Sequence, residues 1–221
     1  MEDSPVATKV NSPESLLADE RGLLEATQLA WRWHGHQTRK GKNTSYMSHL
    51  LQVQGLVINA GGRAEEAIAA LLHDSLEDAP SPEVRREREE LIAARFGQAV
   101  LQIVLDCTDT TAADAGSNKD PWRERKERYL TQLRGAERAS LLVAACDKRH
   151  NLDDLIWDLR HEGPETLSRF NAGGAEQIWY YESVAAICRS AIPPRLVREL
   201  DDLVSMLRAL IDPESDIHHG P

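Results

Sequence analysis

The stretch AALLHDSLEDAP, residues 69–80, constrains this chain more than any other part of it. It continues an apolar run of helical spacing, and it sets His73, Asp74, Glu77 and Asp78 in or just after that run. Desolvating an ionised carboxylate costs several kcal/mol unless the group is paired or bound to a cation. A fold for this sequence must therefore bring compensating charge to this point from elsewhere in the chain.

Apolar residues recur at helical spacing along most of the sequence. Ser12-Pro13 is a cap and first-turn signal for one or two helices reaching His34, with Arg21-Gly22 as the point where two would separate. Further helices are predicted over 46–60, stopped by Gly61-Gly62, and through the opening stretch to Pro80 and Pro82. The charged segment 83–96 and the apolar segment 98–107 read as two helices parted by Gly97, followed by helices over 122–133, 136–159, 175–190 and 194–211. Strand-like alternation bounded by turns is missing, so the fold class is all-α, a helical bundle with a metal site between its helices. Residues 1–11 read as a flexible N-terminal segment, 12–192 as the main domain, and 193–221 as a C-terminal helix and frayed tail packed on it. The loop over 108–121 is long and poor in apolar residues, which makes it a lid candidate.

With 221 residues, 41% of them hydrophobic, the chain can bury a substantial core. A net charge of −10 argues against nucleic acid or anionic lipid as a partner held by bulk attraction; a polyanionic small molecule needs a local gathering of basic residues. Cys107, Cys146 and Cys188 are odd in number and unpaired in spacing, and read as small buried hydrophobes of a reducing compartment. The N-terminus lacks signal-peptide blocks and LLVAAC is too short for a bilayer, so the expected location is the cytoplasm. Oligomeric state is not legible.

On a helix, Asp74 would share a face with Glu77 and Asp78, with His73 one turn before Glu77. A divalent cation is the simplest compensating charge for such a cluster, and its remaining ligands must come from a distance. His34 in WHGHQTRKG, with His36 beside it, and Asp147, which interrupts the apolar run LLVAAC, are the candidates. His49 reads as a core histidine bonded to backbone, and His150, His161, His218 and His219 as bystanders. The bland alternatives are a surface or capped His73-Asp74 pair and an Asp147 salt-bridged to Lys148 or Arg149. An N/O donor set without thiolate suits Mn²⁺ or another first-row ion in an open site. Glu77 or Asp78 could accept a proton from water, Arg39 could stack on a purine, and Lys40, Lys148 and Arg149 could supply positive charge.

The ordered set His34, His73-Asp74 and Asp147 resembles the HD superfamily of metal-dependent phosphohydrolases. HGHQTRKG, SYMSHL, AALLHDSLEDA, FGQAV, VLDCTD and ACDKRHNL, in that order, look like the hydrolase domain of the Rel/SpoT alarmone enzymes and the small alarmone hydrolases, over about residues 25–190. The resemblance implies hydrolysis of ppGpp or pppGpp to GDP or GTP and pyrophosphate, with ppApp-type analogues admitted. It implies Mn²⁺ on His34, His73, Asp74 and Asp147, and the attacking water at Glu77 and Asp78. It implies nucleotide contacts from Arg39, Lys40, Asn151 and Tyr180, to which the residue chemistry adds Lys148. The chain departs from the family where Thr44-Ser45-Tyr46 replaces TPY, where His49-Leu50 replaces HP, where Asp153 replaces a frequent arginine, and at Trp122, basic in the metazoan relative.

Overall fold

The computed structural model describes residues 13–109, 120–169 and 172–212; the expected N-terminal segment, most of the 108–121 loop and the tail beyond 212 lie outside the described residues. Among the described residues eight helices follow in order: α1 (Pro13–His34), α2 (Met47–Asn59), α3 (Ala64–Leu72), α4 (Pro82–Cys107), α5 (Trp122–Arg134), α6 (Arg138–Glu162), α7 (Gly174–Cys188) and α8 (Pro194–Ile211). A 3-10 turn over Pro164–Arg169 joins α6 to α7. No strand occurs among the described residues, where an isolated bridge pairs Thr38 with Ser45.

Helix α3 is apolar on every side because it is surrounded: it packs on α1, α2, α4 and α6, and Ala67 to Leu72 are all buried. The first half of α6 is the second central rod, with every residue from Ser140 to Asp147 buried. Helix α1 is one continuous element and lies close to α3 at Gly22, where an added Cβ would stand 2.9 Å from Ile68 Cδ1. Gly97 marks a kink in α4, at φ 88° and ψ 170°, the left-handed region that favours glycine, so the two expected segments form one bent element. Ser81 caps that helix by accepting from the Val84 N–H at 3.3 Å, with Pro82 in the first turn.

The second half of α6 forms a smaller apolar cluster with α7 and α8, built from Leu152, Leu155, Ile156, Ile178, Val204 and Leu207. Helix α8 contributes to both clusters, with Leu196 and Leu200 in the main core. All three cysteines are free and buried. Among the described residues no helix is long and apolar enough to cross a membrane.

The opening stretch departs from its expected form. Helix α3 ends at Leu72, His73 is its C-cap, and residues 73–78 run on as turns, tied by Ser75 N–H to Leu72 O at 2.9 Å and Asp78 N–H to Asp74 O at 3.0 Å. His73 Nδ1 bonds the Ala70 carbonyl at 2.8 Å, and the Arg88 guanidinium of α4 donates to the Ser75 carbonyl at 2.5 Å. Asp74, Glu77 and Asp78 are therefore arrayed by a pinned turn, where regular helical spacing would have put them on one stripe.

Candidate metal and nucleotide site

Two imidazoles and two aspartates meet where α2, the end of α3 and the middle of α6 converge. His49 Nε2 lies 3.3 Å from His73 Nε2 and 3.5 Å from Asp74 Oδ2. His73 Nε2 stands 3.0 Å from Asp74 Oδ2. Asp147 Oδ1 approaches the same two nitrogens at 3.2 and 3.5 Å. Cation bonds of about 2.1 Å would set neighbouring donor atoms about 3.0 to 3.4 Å apart; His49, His73 and Asp74, whose donor atoms all lie within 4.8 Å of one another, form a group that could hold a metal ion, and Asp147 lies against its two imidazoles.

The tautomers suit that reading. His73 turns Nδ1 to the Ala70 carbonyl and presents Nε2 to the group. Behind His49, His150 Nδ1 lies 3.1 Å from His49 Nδ1. Burial, with His49 beside it, pushes the pKa of His150 down to about 4, so it stays neutral and can accept from His49 Nδ1–H. Tyr46 donates from its hydroxyl to Asp74 Oδ2 at 2.6 Å, and Asn151 donates to Asp147 Oδ1 at 2.6 Å.

The electrostatics state the problem that a cation would solve. Burial opposes charge on His73, yet Asp74 and Asp147 together push its pKa well above the ordinary histidine value. Burial likewise works against ionised Asp147, but Lys148 and His73 hold its carboxyl well below the usual range. Asp74 is lowered in the same way, against its desolvation, by His73 and His49. Without a metal, a proton on His73 does the compensating.

His34 lies outside this group. Its buried ring turns Nδ1 to Gln37 Oε1 at 2.6 Å and to Asp78 Oδ2 at 3.5 Å, and Nε2 has no hydrogen-bond partner among the described residues. Burial lowers its pKa. The imidazole that the sequence reading sought at His34 is furnished geometrically by His49, and His150, read as a bystander, stands directly behind it.

Two adjoining lobes of a cleft, which share four lining residues, lie beside Asp74 and Asp147 of the group. The inner lobe, about 180 Å³, is lined by Asp74, Glu77, Asp78 and Asp147 among others. The outer lobe, about 280 Å³, is lined by Arg39, Lys40, Lys42, Trp122, Asp158 and Tyr180 among others. Tyr46, Lys126, Lys148 and Asn151 line both. The loop between α1 and α2 folds back on itself through Arg39 N–H to Thr44 O at 2.8 Å, with Gly41 at φ 73°, and so presents Arg39 and Lys40 to the cleft. Arg39 is held by Asn151 Oδ1 at 2.8 Å and Asp154 Oδ2 at 3.0 Å. Lys148 pairs with Asp147. Arg149 points elsewhere, to Glu199 of α8 at 3.3 Å.

Of the expected residues, Asp74, Asp147, Glu77, Asp78, Arg39, Lys40, Lys148, Asn151 and Tyr180 thus line the two adjoining lobes, and His73 is buried against Asp74 and Asp147. Sequence reasoning passed over His49, Tyr46, Lys42 and Lys126. A signal for His49 existed: it lies one and two turns before Val53 and Val57 on the buried face of α2, the same apolar interruption that singled out Asp147.

An all-helical domain with this donor group is the architecture of a metal-dependent phosphohydrolase. The HD domain family model matches residues 26–169, and the chain belongs to that family. It is 26% identical over 163 residues to a GTP pyrophosphokinase of Streptomyces antibioticus, which covers 73% of this chain and 18% of that protein. A GTP pyrophosphokinase of Streptomyces coelicolor is 26% identical over 161 residues, 72% of this chain and 18% of that protein. This chain therefore spans under a fifth of the length of either relative. Among solved structures, a metazoan ortholog of SpoT that hydrolyzes ppGpp superposes with a TM-score of 0.66 at 22% identity, covering 92% of this chain and 99% of that one. The protein lmo0812 from Listeria monocytogenes EGD-e superposes with a TM-score of 0.57 at 27% identity, covering 74% and 98%.

Proposed function

We propose that this chain is a Mn²⁺-dependent pyrophosphohydrolase that cleaves the 3′-pyrophosphate from ppGpp and pppGpp, leaving GDP or GTP, and that also accepts ppApp-type analogues. The observation that carries the reading is the adjacency of the two lobes. Asp74 and Asp147, which adjoin His49 and His73, line the inner lobe with the Glu77-Asp78 pair, and that lobe shares Tyr46, Lys126, Lys148 and Asn151 with the outer lobe lined by Arg39 and Lys40. The similarity to GTP pyrophosphokinases over this region and the shared fold with a ppGpp-hydrolysing protein support the same substrate class.

In this reading His49 takes the ligand place first assigned to His34, beside His73, Asp74 and Asp147. A divalent ion held there supplies Lewis-acid stabilisation of phosphoryl charge and makes water easier to deprotonate. Glu77 and Asp78, facing the inner lobe from the pinned turn, accept the proton of the attacking water. Asn151 links the two halves of the site, donating to Asp147 and accepting from Arg39, so a nucleotide engaged by Arg39 is registered against the metal ligands. Arg39 stacks on a purine without distinguishing guanine from adenine, while Lys40, Lys148 and Tyr180 meet the phosphates.

The test is direct. Purified protein with Mn²⁺ is given ppGpp, ppApp and nucleoside monophosphates, and products are resolved by anion exchange. Pyrophosphate from ppGpp is the expected outcome. Inorganic phosphate alone would make the chain another HD-type nucleotide phosphohydrolase, and binding without turnover an idle alarmone-binding or antitoxin-like module.

A further inference from the structure

We infer that Lys126, with the Tyr180 hydroxyl beside it, seats the pyrophosphate leaving group at the junction of the two lobes. The inference deepens the proposed function and rests on it for the identity of the leaving group.

The inner lobe is strongly acidic. Among the described residues five carboxylates line it, those of Asp74, Glu77, Asp78, Asp109 and Asp147, against two cations, Lys126 and Lys148. Besides a divalent ion in the metal-binding group, these two ammonium groups are the positive charge that the described lining offers a polyanion. Lys148 pairs with Asp147, its neighbour in sequence, on the side of the metal-binding group. Lys126 is held from the opposite wall: Asp109 pairs with it and also with Arg125, whose Nη1 lies 3.1 Å from Asp109 Oδ1. An ammonium has three donors, so one bond to Asp109 fixes the side chain and leaves donors for the cleft.

A second observation points to the same spot. The Tyr180 hydroxyl is buried and has no hydrogen-bond partner among the described residues, and the Tyr180 ring borders the outer lobe. Lys126 Nζ stands 4.8 Å from the centroid of that ring. A buried hydroxyl without a partner is destabilising, since it has lost its bonds to water and gained none. A phosphate oxygen at the junction would relieve that cost while taking the remaining Lys126 donors. The 5′-phosphates are left to Lys40 and Lys42 of the outer lobe, neither of which borders the inner one.

The experiment titrates sodium pyrophosphate, and separately GDP, into the Mn²⁺-loaded full chain by calorimetry, for the wild type, Lys126→Met, Lys126→Arg and Tyr180→Phe. In Lys126→Met pyrophosphate affinity falls by about 10- to 100-fold, as expected for losing one or two charge-assisted hydrogen bonds, with GDP and Mn²⁺ affinities unchanged. Lys126→Arg recovers most of the loss. Tyr180→Phe, which removes a hydroxyl bonded to nothing in the protein, weakens pyrophosphate alone by about threefold to tenfold and provides the reading if Lys126→Met does not fold. Unchanged pyrophosphate affinity, an equal loss for GDP, or a loss of Mn²⁺ binding would each overturn the inference. The two readings fail separately: pyrophosphate binding is measured without turnover, so a wild type that binds it at Lys126 yet does not cleave ppGpp sinks the proposed reaction and leaves the seat standing.

Discussion

His49 and His73, 24 residues apart in sequence, point their Nε2 atoms at each other across 3.3 Å. Both nitrogens also face Asp74 and Asp147, an arrangement that a shared cation would satisfy. His49→Ala is therefore expected to lower Mn²⁺ affinity by more than about 100-fold, beyond the range typical of outer residues. His34→Ala should retain Mn²⁺ binding and lose activity through its contact with Asp78. Metal titration of both variants decides which histidine is the ligand; metal loss in His34→Ala with full binding in His49→Ala would reverse the assignment.

Tyr46 holds Asp74 through a 2.6 Å hydrogen bond from its hydroxyl. Removing that hydroxyl leaves the ring in place and frees the carboxylate to rotate. Tyr46→Phe should cost about 10- to 100-fold in metal affinity or turnover while the thermal midpoint barely moves. Circular-dichroism melts alongside the Mn²⁺ titration separate the two effects.

Metal binding should strengthen as pH rises. Asp74 and Asp147 raise the pKa of His73 well above its ordinary value, so in the metal-free protein a proton occupies the lone pair a cation needs. The protonated pair contributes stability that is fully present below the unfolded histidine value and is lost as pH climbs through the raised folded one. Mn²⁺ displaces that proton. The gain in thermal midpoint on adding Mn²⁺ should therefore be larger at about pH 9 than at about pH 6, and proton release should accompany binding. A gain independent of pH would mean that His73 is already neutral.

Arg88 is buried in α4 with its guanidinium carbon 4.9 Å from the Trp33 ring centroid, and it donates to the Ser75 carbonyl. It pins the turn that carries Asp74, Glu77 and Asp78. Arg88→Met keeps the bulk and strands that carbonyl, which should lower stability by about 1–3 kcal/mol. Turnover should fall by more than metal affinity does, because Glu77 and Asp78 lie farther along the loosened turn than Asp74. Urea melts and Mn²⁺ titration check both halves.

Most of the helices were legible because burial imposes a period on sequence. Val53 and Val57 on α2, the unbroken apolar run of α3 and the start of α6 announce their faces without help from neighbours. Gly97 announced the bend in α4 because no other residue takes φ 88° cheaply. The 3-10 turn over Pro164–Arg169 left no such mark, being too short to carry a period. The end of α3 was misread for a related reason: helix propensity does not stop at Leu72, and the turn that follows is imposed by Arg88 and by the bond from His73 to Ala70.

The sequence by itself determined that charged groups at His73, Asp74 and Asp147 had to find one another, since no apolar interior accepts a carboxylate alone. It also determined the helices that carry them. Which imidazole completes the group was decided by tertiary structure alone, because His34 and His49 both lie on buried faces at the level of single helices. The packing of α2 against α3 and α6 brings His49 Nε2 to 3.2 Å from Asp147, while Gln37 and Asp78 hold His34 aside. Local periodicity fixes the face a residue occupies, and distances between faces belong to the assembled bundle.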